Sequence, residues 1–159
     1  MKTKNFFLKK SKALIIKKTN KKFNLIIGDI SLGNLMKDEV VIKVFYTCFN
    51  FKDILIAKGN PGLVRNYPHV PGIDCTGRVY FSNSNKFKKG DNVMVIARPS
   101  GVNSFGTMSN YFVSPSKWIE KIPPKFNMKT PIIFGTAGFT AMLAVQNIIK
   151  NKINKSLPI

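Results

Sequence analysis

Histidine and cysteine are scarce in this chain, and that scarcity sets the first limits on its chemistry. One histidine, His69, and two cysteines, Cys48 and Cys75, are the only imidazole and thiol ligands among 159 residues. The cysteines are not at CxxC spacing and no familiar zinc ligand set forms around them, so no metal is expected. Whether they pair is open on sequence; buried free thiols are the state that a reducing compartment favours. Carboxylates are also few, with 7 Asp and Glu against 26 Lys and Arg. Long apolar runs are missing: none approaches the roughly 20 residues of a membrane span, and membrane insertion is not expected. Phe6-Phe7-Leu8 and Ala13-Leu14-Ile15-Ile16 are too short and too broken by lysine to form the apolar region of a secretory signal. The cytoplasm is the expected compartment.

The positive side of the inventory is lysine. A formal net charge of +19 would suit a polyanion partner. Asn, Ile and Phe are abundant beside Lys, however, and all four share A/T-rich codons, so the excess follows from base composition without selection for a partner. Nucleic acid is therefore not expected, and a small basic β-barrel docking on nucleic acid stands as the rival reading, with a non-catalytic remnant as a third. Nine lysines, from Lys2 to Lys22, precede the first acid, Asp29. Residues 1–12 read as a basic tail.

From Ala13 to Phe112 the apolar residues come in short runs separated by turn formers, the pattern of many short strands. In "EVVIKVFYTCFN", Val41, Lys43 and Phe45 share one face and Val40, Ile42, Val44 and Tyr46 the other, which predicts a strand covered on much of both sides. "GRVYF", "DNVMVI" and "SNYFV" are further strands, with "NSN" and "KKGD" as turns and Phe87 anchoring the second. The pattern is that of an all-β barrel or sandwich. The prolines of "KIPPKFN" close the β region near Ile122, and "GTAGFTAMLAVQNIIKNK" then carries Phe139, Met142, Leu143, Gln146 and Ile149 at helical spacing. A helix is predicted from about Thr136 to Lys150.

Chemistry-bearing residues concentrate in "FNFKD". Asn50 and Asp53 read either as the N-cap and first-turn acid of a helix, with Lys52 merely solvated, or as an amide, a cation and a carboxylate aimed at a ligand. "YPHVPGIDCTG" and "GTAGFTAML" follow, and His69 reads as a loop residue. In this order and at these separations the three stretches resemble the medium-chain dehydrogenase/reductase superfamily, most closely its zinc-independent acrylyl-CoA reductase and quinone oxidoreductase branch. Asn50 and "GIDC" stand where the zinc alcohol dehydrogenases of that superfamily have a Cys and a Gly-His-Glu motif.

The resemblance implies a mainly β fold with some α: a GroES-like β-barrel domain over 13–134, then over 135–159 the first helix of a truncated Rossmann cofactor-binding domain. The dinucleotide fingerprint G-x-G-x-x-G would follow a strand beginning at Leu157-Pro158-Ile159, where the sequence stops. The implied activity is NADPH-dependent hydride transfer to an activated alkene, such as an acrylyl-CoA-like enoyl thioester, or to a quinone. The implied catalytic residues are Asn50 and Asp53. Asn50, Phe51, Lys52 and Thr140 would lie at the cofactor, Tyr67 at the substrate mouth, and full-length members can be homodimers. Phe51 departs from the Tyr usual in the family at that place.

Overall fold

The structure, a computed structural model, describes residues 9–20, 22–102 and 104–151. Most of the expected basic tail (residues 1–8) and the strand expected at the end (within 152–159) lie outside the described residues. Strand β1 (Lys10–Thr19) turns at Asn20, whose φ of 57° is tolerated by a short polar side chain, and pairs antiparallel with β2 (Lys22–Ser31). β1 thus begins inside the segment read as tail. Five more strands, β3 (Glu39–Thr47), β4 (Cys75–Ser82), β5 (Asn92–Val95), β6 (Tyr111–Pro115) and β7 (Glu120–Lys121), form one antiparallel sheet in the order β6-β3-β4-β5-β7. Helix α1 (Phe51–Ala57) follows β3, and α2 (Lys129–Lys150) follows the sheet.

Burial explains the arrangement. Val40, Ile42, Val79, Val93, Val95, Phe112 and Phe87 pack as one cluster behind the five-stranded sheet, while Ala13, Ile15, Val70 and Met108 seat the hairpin. Ile16, Ile56 and Val64 dock α1 on β1. Phe87 anchors the turn as expected.

Three features correct the sequence reading. The sheets do not close into a barrel among the described residues: β1 meets the rest through isolated bridges, Ala13 to Ser109 and Ile16 to His69. The segment facing β1 is interrupted by Pro68 and Pro71, which have no N–H to extend a ladder. Second, β3 is covered over its first half only. Val40, Val41 and Ile42 are fully buried, whereas Phe45 and Tyr46 are exposed by 44% and 43%.

Third, a further helical segment precedes the helix predicted from Thr136 to Lys150, which is present. Asn127 Oδ1 accepts the free amides of Lys129 and Thr130 at 2.9 Å each, and Pro131 sits in the first turn, where a missing N–H costs little. Gly135, at φ 52° and ψ −157°, then kinks the helix in two. By length and composition alone α2 is apolar enough to cross a membrane, with a window of mean hydropathy 1.6, although polar residues interrupt every unbroken run in it. Its first half is nonetheless tied to the sheet, where Thr76 Oγ1 donates to the Met128 carbonyl at 2.7 Å.

The β3–β4 pairing depends on one glycine. A Cβ on Gly77 would run into the Lys43 carbonyl oxygen and Ile42 Cγ2, whereas one on Gly33 would meet nothing within 4 Å. Gly77→Ala should therefore lower stability by about 3 kcal/mol, against about 1 kcal/mol for Gly33→Ala, where only the positive φ is strained. Urea unfolding of the two variants measures the difference.

Candidate functional site

The loop that enters β4 carries a carboxylate with no water around it. Asp74 is fully buried. Its Oδ2 accepts the Asn50 side-chain amide at 3.1 Å and the Thr136 backbone N–H at 2.8 Å, and its Oδ1 accepts the Ala97 N–H at 3.2 Å and the Thr136 hydroxyl. Its backbone carbonyl takes the hydroxyls of Thr47 and Thr107, both at 2.8 Å. A buried carboxylate is tolerated only when so provided with donors. One side chain therefore ties the end of β3, the loop after β5 and α2 together.

The kink explains the role of Thr136. Breaking α2 at Gly135 creates a new helix start at 136, whose first amides have no partner within the helix, and Asp74 caps them from 62 residues away in sequence. Gly135 is needed for the approach: a Cβ there would lie 3.0 Å from Asp74 Oδ2 and 3.2 Å from Cys48 Sγ. The Cys48 thiol donates to the same carboxylate at 3.6 Å, and burial, then the Asp74 charge, pushes its pKa up to about 11. Cys48 and Cys75 are both free, and full burial pushes the Cys75 thiol upward too.

Asn50 stands at the N-cap of α1, in a capping box with Asp53, and its side-chain nitrogen donates to Asp74. Asp53, itself buried, supplies the local bonds: Oδ2 accepts the Asn50 N–H at 2.8 Å and Oδ1 the Gly72 N–H at 2.9 Å. Burial raises the pKa of Asp53 while those two N–H groups oppose it. Asn50 and Asp53 are thus brought together with Asp74 and Thr136. Phe51, 74% exposed, and Lys52 lie on the outside of α1. Thr140 is exposed and donates to the Thr136 carbonyl at 2.8 Å, one turn back in its own helix. Tyr67 lies at the other end of α1, its hydroxyl on the Ile56 carbonyl at 3.2 Å. His69 is a buried loop residue with Nε2 at 2.7 Å from the Gly101 carbonyl, and burial lowers its pKa.

Sequence reasoning passed over Asp74 and Thr136. The signal was there for Asp74, the one acid in the apolar stretch "VPGIDC"; nothing local marks Thr136, because the kink that frees its amide is a tertiary feature.

Residues 36–124 match the alcohol dehydrogenase GroES-like domain, and the chain belongs to that family, within the medium-chain dehydrogenase/reductase superfamily. The acrylyl-CoA reductase AcuI of Ruegeria pomeroyi is 37% identical over 84% of this chain and 41% of its own length. The crystal structure of the Bacillus subtilis protein YhfP with NAD bound shares 35% identity and a TM-score of 0.82, covering 92% of this chain and 45% of that one. The YhdH oxidoreductase of Salmonella enterica in complex with NADP has a TM-score of 0.82 at 29% identity, over 90% of this chain and 44% of that one. The chain spans about two fifths of the length of the curated relatives it matches.

Two measurements test the Asp74 junction. Alkylation of Cys48 should show its half-point near pH 11 in the native protein, and the stability gained from the protonated thiol should be full below pH 9.0 and lost as pH rises toward 11. Asp74→Asn should bring the half-point down toward 9.0, since the negative neighbour is gone while burial remains. The same variant should lose about 3 kcal/mol in urea unfolding, because an amide offers one acceptor where the carboxylate served several donors. Unchanged values in both would show that the junction holds nothing.

Proposed function

We propose that this chain is the catalytic-domain portion of an NADPH-dependent oxidoreductase that reduces an activated alkene, such as an acrylyl-CoA-like enoyl thioester, or a quinone. The observation that carries the reading is the Asn50 carboxamide: its nitrogen is held by buried Asp74 at 3.1 Å, which fixes its oxygen at the start of α1. A fixed acceptor next to the start of an exposed helix suits the carboxamide end of a nicotinamide. The relatives support the same class of cofactor, since their structures hold NAD or NADP.

The residues fit one end of the dinucleotide only. Asn50 Oδ1 would accept from the nicotinamide carboxamide, with Phe51, Lys52 and Thr140 exposed beside it, but the chain contains no G-x-G-x-x-G to grip the pyrophosphate. When bound, NADPH supplies the hydride. This chain supplies orientation: Asp74 locks the Asn50 rotamer, and Asp53, with both oxygens occupied by backbone N–H groups, holds the start of α1 against the Gly72 loop. Lys52 offers a cation to the negative charge that develops on a carbonyl or thioester oxygen, and Tyr67 lines the substrate side. The kink at Gly135 supports a boundary between a catalytic domain over 13–134 and a cofactor-binding domain beginning at 135. A cytoplasmic compartment and a homodimer belong to the same reading.

Joining the chain to a Rossmann domain from the family allows the test. Asn50→Ala should slow single-turnover NADPH oxidation by an acrylyl thioester about tenfold to a thousandfold with little change in Tm, the usual cost of losing a positioned hydrogen bond. Phe51→Tyr should raise the rate. Turnover of Asn50→Ala at the wild-type rate per folded molecule would leave "FNFKD" as a helix start and nothing more.

A further inference from the structure

We propose that the outward face of the five-stranded sheet is a binding platform for single-stranded nucleic acid, independent of the oxidoreductase reading. The sheet register sets Tyr111 on β6, Lys43 on β3 and Arg78 on β4 side by side, since Lys43 pairs directly with both neighbours. Adjacent strands lie about 4.8 Å apart, so this row spans about 10 Å across the sheet. Its continuation on β5 is Asn92, and no carboxylate interrupts it.

Aromatic rings alternate with the cations on this face. Phe45, 44% exposed, has the Lys43 ammonium 5.7 Å and the Arg78 guanidinium 5.9 Å from its ring centre. Tyr80, 37% exposed, makes an edge contact with Tyr111 at 5.1 Å and has the Lys89 ammonium at 5.8 Å. Arg78 is also fixed by its Nε on Asn92 Oδ1 at 3.2 Å.

The register places Tyr80 where it is. Val41 pairs with Phe81 and Ile42 with Val79, so Tyr80 is the extra residue of a β-bulge and its ring swings toward Tyr111. Two separate rings, each attended by cations on a rigid sheet, match what a single strand presents: flat bases to stack and phosphates to neutralise. A duplex hides its bases and would gain only the charge term. The lysine total did not call for this partner, because composition says nothing about where charge sits; the juxtaposition of rings and cations does.

Anisotropy of a fluorescein-labelled 12-residue single strand, as RNA and as DNA, tests the proposal on the full chain at fixed salt. Phe45→Leu and Tyr80→Leu, which keep the charge, should each weaken binding about tenfold, while Lys37→Gln, remote from this face, should change it less than twofold. A strand carrying 2-aminopurine should be quenched by stacking on the wild-type protein, a reading that needs no variant to fold. Unquenched 2-aminopurine, equal affinity for a duplex of the same length, or Leu variants that bind like wild type would each overturn the platform. So would binding of phosphatidylserine vesicles with no binding of the oligonucleotide.

Discussion

A single buried carboxylate holds three distant stretches of this chain in register. Asp74 has no access to water, so its charge survives only because donors from the end of β3, the loop after β5 and the restart of α2 converge on it. The demand for convergence dictates backbone elsewhere. Ala97 takes a φ of 56° to present its N–H, and Gly135 takes a conformation that brings Thr136 within reach. The geometry of the candidate site is in this sense a consequence of an electrostatic need.

Hydrophobic pattern made most of the fold legible. The short runs between turn formers became strands, the two prolines after Ile122 ended them, and the helical spacing from Phe139 onward is a helix. Closure was not legible, because whether β1 and its neighbour join depends on where Pro68 and Pro71 fall opposite it. The first turn of α2 was missed since "KTPIIF" reads as a strand-like run broken by proline, and only the Asn127 cap and the kink make it helical. Within the site, "FNFKD" was read as two alternatives, and Asn50 turns out to occupy a cap position with its side-chain nitrogen on Asp74. The role of Asp74 is not legible locally because the donors that hold it come from positions 23 to 62 residues away.

The fully exposed second half of α2 sets the limits of this chain as it stands. Phe139, Met142, Val145 and Ile149 are between 42% and 70% exposed, and in the whole helix only Ile132 and Gly135 are buried. The relatives are more than twice as long as the stretch they share with this chain.

Gly135 gives α2 a mechanical character. A helix of about 15 residues is roughly 22 Å long, so the segment beyond the kink is a lever arm with its fulcrum at the glycine. Thr136 is the first residue past the fulcrum, and both its N–H and its hydroxyl grip Asp74. Torque applied to the far end of the arm is thus delivered to the carboxylate that orients Asn50. Asn50 and the far end of the helix are geared to each other through one residue.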